Sequence, residues 1–145
     1  MKNTIIIRGA YHFFRPAASV KAQVDQFVST ISSIEVGDLP PALDLEEART
    51  SAGQDEWKAF PIKQRLPLAL EWLEEVEEKL GRRPLIYTRS GFVKSCFGNP
   101  GGLTEYLLWI AHYIPAPQPT FPTGWADWTF CNTRIAGKWQ GSTAM

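Results

Sequence analysis

Short apolar segments alternate with longer stretches of helical period along this chain, and that alternation constrains its fold more than any other feature. Residues 4–14 (TIIIRGAYHFF), 39–46 (LPPALDLE), 83–90 (RPLIYTRS) and 107–113 (LLWIAHY) are rich in β-branched, aliphatic and aromatic residues, as strands are. Residues 15–34 place Val20, Val24, Phe27, Val28 and Ile31 on one helical face, with Ser19 as a plausible N-cap. Residues 64–81 carry a second stripe, Leu66, Leu70, Leu73, Val76 and Leu80, with Pro67 in the first turn and Gly81 at the C-terminal cap. Glu71, Glu74, Glu75, Glu77 and Glu78 then form a solvated face. Residues 47–60 are polar and define no element. Residues 91–106 read as a loop or short helix, the Pro-rich 114–124 as an irregular connection, and 125–130 (WADWTF) as a fifth strand. Strands separated by helices imply parallel pairing through βαβ units, hence an α/β fold.

With 145 residues and neither an internal repeat nor a linker, one core is expected. Fifteen basic and fifteen acidic side chains cancel, so no net field attracts nucleic acid or an anionic membrane. Only three consecutive aliphatic residues precede Arg8, too few for a signal-peptide core, and no segment approaches a membrane span. As written, the chain carries no export signal. Cys96 and Cys131 fit no zinc spacing and read as two free thiols.

Enzyme sites in parallel α/β folds gather at the C-terminal ends of strands. Four of the expected strands end in polar or aromatic groups: Tyr11, His12 and Phe13; Asp44 and Glu46; Tyr87; Trp109, His112 and Tyr113. The acids are the most telling. Alternation puts Asp44 and Glu46 on one face, with Cα atoms about 6.6 Å apart. Two carboxyls that close repel, so one tends to hold its proton. A neutral acid beside an ionised partner can protonate a leaving oxygen while positive charge develops next to it. The spacing alone leaves two other readings open: acids exposed at a loop mouth or helix start, and an oxygen-ligand site for Mg²⁺ or Ca²⁺, for which no further ligand motif appears.

The motifs RGAYHFFRP, LPPALDLE, GRRPLIYT and LLWIAHY, in this order and spacing, resemble glycoside hydrolase family 25, the Chalaropsis-type lysozymes, over roughly residues 5–130. The resemblance implies an irregular TIM-like (β/α) barrel and hydrolysis of the β-1,4 bond between N-acetylmuramic acid and N-acetylglucosamine in peptidoglycan. It implies no metal and no cofactor. Glu46 matches the family's general acid, and Asp44 the acid that assists, by steadying the substrate's acetamido group. Tyr11, Phe13, Tyr87, Trp109 and Tyr113 match positions lining the sugar groove; barrel core is the plain alternative for each. His12 reads as a packed, hydrogen-bonded histidine rather than a base. Arg15 either lines the groove or caps a strand end. The partner implied is the peptidoglycan glycan strand, with no nucleic acid and no membrane; oligomeric state is not indicated.

Two departures from the family pattern bear on what to expect. The pattern has two further strands before GAYHFF, the first with an aspartate in a DVS-like motif, and neither occurs here. After WTF it continues WQY, a glycine-rich hairpin and a VDLN-like strand, whereas this chain reads CNTRIAGKWQGSTAM. With suitable synonymous codons, one base inserted in codon 131 turns that tail into WQYTDSGKVAGINGN. The expectation is therefore a partial catalytic domain over residues 1–130 and a frameshifted tail over 131–145. The sheet should be incomplete, with about five mostly parallel strands, helices on its outer face and inner apolar residues partly exposed. The competing functional reading is an inactive remnant that at most binds glycan through its aromatics.

Overall fold

The computed structural model describes residues 7–113, 119–135 and 138–143, with side chains as far as Asn132. The expected alternation is present. Strand β1 (Tyr11–Phe13) leads to helix α1 (Val20–Ile31), then β2 (Ala42–Leu45), α2 (Ile62–Leu80), β3 (Leu85–Thr88), α3 (Ser90–Phe97), β4 (Leu107–His112), β5 (Phe130–Ile135) and β6 (Lys138–Thr143). Short 3₁₀ turns at Glu56–Ala59 and Gly101–Glu105 precede α2 and β4. The six strands lie in sequence order in one sheet. Strands β1 to β5 run parallel, and β6 returns antiparallel to β5.

Local chemistry accounts for the helix ends. The Ser19 side chain accepts from the Ala22 N–H, as its N-cap position predicts. Gly81 closes α2 with φ 63°, a left-handed conformation that glycine adopts without Cβ strain, and its N–H bonds to the Glu77 carbonyl. Helix α2 starts earlier than its apolar stripe suggests. Pro61 is its N-cap, so Pro67 lies inside the helix rather than in the first turn, at the cost of one backbone hydrogen bond.

The fifth strand also differs from expectation: it begins at Phe130, where the sequence pattern ends it. Trp125 and Trp128 belong to the preceding connection and pack, with Phe121, against Leu108, Ile110 and Cys131. The Trp125 indole donates to the Tyr106 carbonyl at 3.0 Å. These aromatics cover the outer face of β4 and β5. Residues 131–135 and 138–143, expected as a non-native tail, form β5 beyond its first residue and β6.

Register fixes which side chains share a face. Phe13, Asp44, Tyr87, Trp109 and Phe130 stand in one row across five strands. The alternate residues face the helices. Phe14, Leu43, Leu45 and Ile86 meet Val24 and Phe27 of α1, Trp72, Leu73 and Val76 of α2, and Phe92 and Val93 of α3 in one buried cluster. Burying each large side chain there is worth about 1.5–3 kcal/mol. His12 lies in this layer. Its Nε2 meets Gln23 Oε1 at 2.9 Å, its ring stacks on Trp72, and burial lowers its pKa, so it is a packed histidine as expected. Arg15 is ion-paired with Glu56. Cys96 and Cys131 are buried free thiols.

The opposite face has no such cover among the described residues. Tyr11 is 68% exposed and Leu107 54% exposed. Among the described residues strands β1 and β6 do not pair with each other, so the sheet they form is open.

Candidate active site

The open face carries a groove of about 250 Å³ lined by Tyr11, Asp44, Glu46, Tyr87, Trp109 and Asn132. Five of these were candidates from sequence. Four of them come from four neighbouring strands: Tyr11 from β1, Asp44 from β2, Tyr87 from β3 and Trp109 from β4. Glu46 sits immediately after the last residue of β2, so the chain can turn away while its carboxyl stays on Asp44's side. A larger hollow, about 800 Å³, lies under the 47–59 loop and beside α3, and holds neither Asp44 nor Glu46.

The two carboxyls have different surroundings. Asp44 is only 8% exposed, and its Oδ1 has no hydrogen-bond partner. Burial, and then the charge of Glu46, push its carboxyl up to about 7. Glu46 is also pushed up, first by burial and further by Glu47, while the Arg89 guanidinium opposes the rise. Arg89 Nη2 is committed to Glu47 Oε1 at 2.6 Å, so it acts on Glu46 through space. Both acids therefore favour the protonated form more than free carboxyls do. That suits giving a proton to a poorly basic oxygen near neutral pH.

The walls are aromatic. Tyr87 and Trp109 meet edge to face at 5.1 Å, and Trp109 meets Phe130 similarly at 6.1 Å. The Tyr87 hydroxyl is 2.6 Å from the Tyr113 hydroxyl. Burial, that bond and the two nearby acids all raise the Tyr87 pKa, so its phenol stays neutral. Tyr113 thus reaches the site through Tyr87 and is not itself part of the groove lining. Phe13 is in register with Asp44 but packs against the helix-side cluster, outside the lining.

Asn132 is the residue that sequence reasoning missed. It lies in the segment expected to be non-native, yet its Oδ1 accepts from the Trp109 indole at 3.1 Å. The available signal was the alternation of Phe130 and Asn132 across Cys131. Among the described residues, no group of three or more His, Cys, Asp or Glu side chains is placed to hold a metal ion.

The chain is similar to known proteins over most of its length. The chain is 31% identical over 123 residues to the uncharacterized protein YegX of Escherichia coli, covering 85% of this chain and 41% of that one. It is 32% identical over 140 residues to lysozyme M1 of Streptomyces globisporus, covering 94% and 46%. The structure of a muramidase from Acremonium alcalophilum superposes with a TM-score of 0.82 at 27% identity, covering 96% of this chain and 68% of that one. The chain thus spans less than half the length of these two relatives. The family description "Glycosyl hydrolases family 25" matches residues 1–139, and the chain belongs to that family.

Proposed function

We propose that the groove binds peptidoglycan glycan strands and that the protein cleaves the β-1,4 bond between N-acetylmuramic acid and N-acetylglucosamine. One observation carries this reading: Asp44 and Glu46, both with raised pKa, line one aromatic-walled groove at the C-terminal end of a parallel sheet. A similar protein is named a lysozyme and another a muramidase, which points to the same substrate class.

In the proposed reaction Glu46, protonated, gives its proton to the glycosidic oxygen as the bond from that oxygen to C1 breaks. The substrate's own acetamido oxygen closes on C1. Asp44 steadies the acetamido group by accepting from its N–H, which supplies the partner that Asp44 Oδ1 lacks. Water then adds at C1 as the bond from C1 to the acetamido oxygen breaks and the acetamido group is restored, and the Glu46 carboxylate takes the water's proton. Binding helps set the protonation states. An N–H donor favours ionised Asp44, and a negative Asp44 holds the proton on Glu46. Tyr11, Tyr87 and Trp109 offer ring faces and edges to the sugars. No metal or cofactor takes part in this scheme, so a chelator should leave the rate unchanged.

The action would be at the cell wall. No described helix is long and apolar enough to cross a membrane.

Turbidity clearing of purified peptidoglycan by the wild-type chain and by Glu46→Gln tests the proposal. Release of reducing ends that disappears in the variant is expected. A folded wild-type chain that binds the polymer and releases nothing would overturn the catalytic reading in favour of glycan binding alone.

A further inference from the structure

We propose that Asn132 is a substrate-positioning residue that reads the acetamido carbonyl of the sugar next to the one held by Asp44; this rests on the groove being a glycan site. The argument starts from hydrogen-bond capacity. An indole N–H can only donate, so Trp109 Nε1 fixes which way the Asn132 amide faces. With Oδ1 turned to Trp109, the end of the amide away from Trp109 is Nδ2, a pure donor on a residue that lines the groove. Asn132 therefore does two things at once: it holds the Trp109 ring in place and offers a donor.

Its place in the sheet says which part of a glycan it would meet. Asn132 pairs in register with Ala111, two residues beyond the row containing Asp44, Tyr87, Trp109 and Phe130, and so on the same face. Strand β5 is three strands from β2. At about 4.8 Å per strand the two backbones are about 14 Å apart along the sheet. Asp44 and Asn132 thus line the same groove from strands three apart, an acceptor toward one end and a donor toward the other. Successive rings of a β-1,4-linked chain are flipped relative to each other, so neighbouring 2-acetamido groups point opposite ways. When one acetamido N–H meets Asp44, the next acetamido group turns toward β5. Sugar hydroxyls can donate or accept, whereas the acetamido carbonyl only accepts. A donor fixed by Trp109 therefore favours acetylated over plain β-1,4 glucans.

The test compares binding of two uncharged ligands with the same linkage, the N-acetylglucosamine tetramer and the glucose tetramer, by calorimetry. The variants separate the two jobs. Asn132→Asp keeps an oxygen for Trp109 and loses the donor; Asn132→Gln keeps the carboxamide; Asn132→Leu loses both. The wild type should prefer the acetylated tetramer, and Asn132→Asp should lose about tenfold of that preference, the worth of one hydrogen bond. Tryptophan emission should stay native in Asn132→Asp and shift in Asn132→Leu, and Asn132→Gln should recover part of the preference. An unchanged preference in a folded Asn132→Asp, or none in the wild type, would overturn the proposal. Peptidoglycan release sensitive to Glu46→Gln would still support the muramidase reading in that case. An Asn132-dependent preference without any release would instead overturn catalysis and keep this assignment.

Discussion

The two faces of the sheet are made by the same strands and obey opposite rules. On the helix side, Leu43, Leu45, Ile86 and Phe14 are at most 1% exposed. On the open side, one residue away along the same strands, stand an acid without a partner for Oδ1, a tyrosine mostly in solvent, and a row of aromatic edges. Period-two alternation lets one short segment serve both: ALDL gives Leu43 and Leu45 to the core and Asp44 to the groove. Stability is concentrated on one face, which frees the other to hold groups that are costly to bury.

The strongest way to break this division is to delete mass from the helix side. Trp72→Ala removes a fully buried indole that packs on His12 and Phe27. It should cost about 3–5 kcal/mol in urea unfolding, enough to unfold a marginal domain. Tyr11→Ala on the open face should stay within about 0.5 kcal/mol. Similar losses from both would mean that the open face is covered in solution.

Glu46→Gln probes the other side of the comparison. It should lower peptidoglycan release by about 10²–10⁴-fold, the usual contribution of a positioned general acid, with no loss in unfolding free energy. A variant that loses activity only in proportion to its stability would place Glu46 on the structural side.

The division also explains what could be read in advance. Face assignment needs only alternation and helical period, so the helix-side core, His12 as a packed residue and the Asp44–Glu46 pair were all legible. Boundaries were not. WADWTF looks like a strand because aromatic propensity reflects a half-buried surface rather than extended backbone. Here Trp125 and Trp128 cover β4 and β5 from a connection. Pro67 looked like a helix start because its place in the helix depends on Pro61, which carries no apolar signal. Phe13, expected in the groove from the motif, shares the row of Asp44 by register, touches the buried cluster and lies outside the groove lining. Asn132 was hidden by the unfamiliar tail. If the alternative reading of that tail is restored by one inserted base, a glutamine replaces Asn132. Sequencing the coding DNA around codon 131 tests the frameshift we propose for residues 131–145; codons incompatible with the shifted frame would exclude it.

Asp44 gives a smaller effect with a definite sign. Its carboxyl titrates near 4 in an unfolded chain and at about 7 in the fold. The folded state binds the proton more tightly, so this group's contribution is full below pH 4 and is lost as pH rises through about 7. Asp44→Asn should flatten the fall in stability between those values, measured by melting temperature against pH, while lowering activity. An unchanged pH slope would show that Asp44 is solvated like an ordinary surface acid.

The smallest expected effect concerns a cation at the rim, Arg89. Arg89 precedes α3, is bonded to Glu47, and draws the Glu46 pKa down against burial and Glu47. Arg89→Gln removes that opposition but keeps a donor for Glu47. The Glu46 carboxyl should then hold its proton to higher pH, moving the alkaline limb of the activity profile upward by a fraction of a unit. Melting temperature should change little, because Arg89 is a part-exposed ion pair, typically worth under about 1 kcal/mol. A downward shift would mean that freed Glu47 pairs elsewhere and that its repulsion of Glu46 was the stronger influence. A large loss of stability with no shift would move Arg89 from the chemistry of the open face to the construction of the buried one.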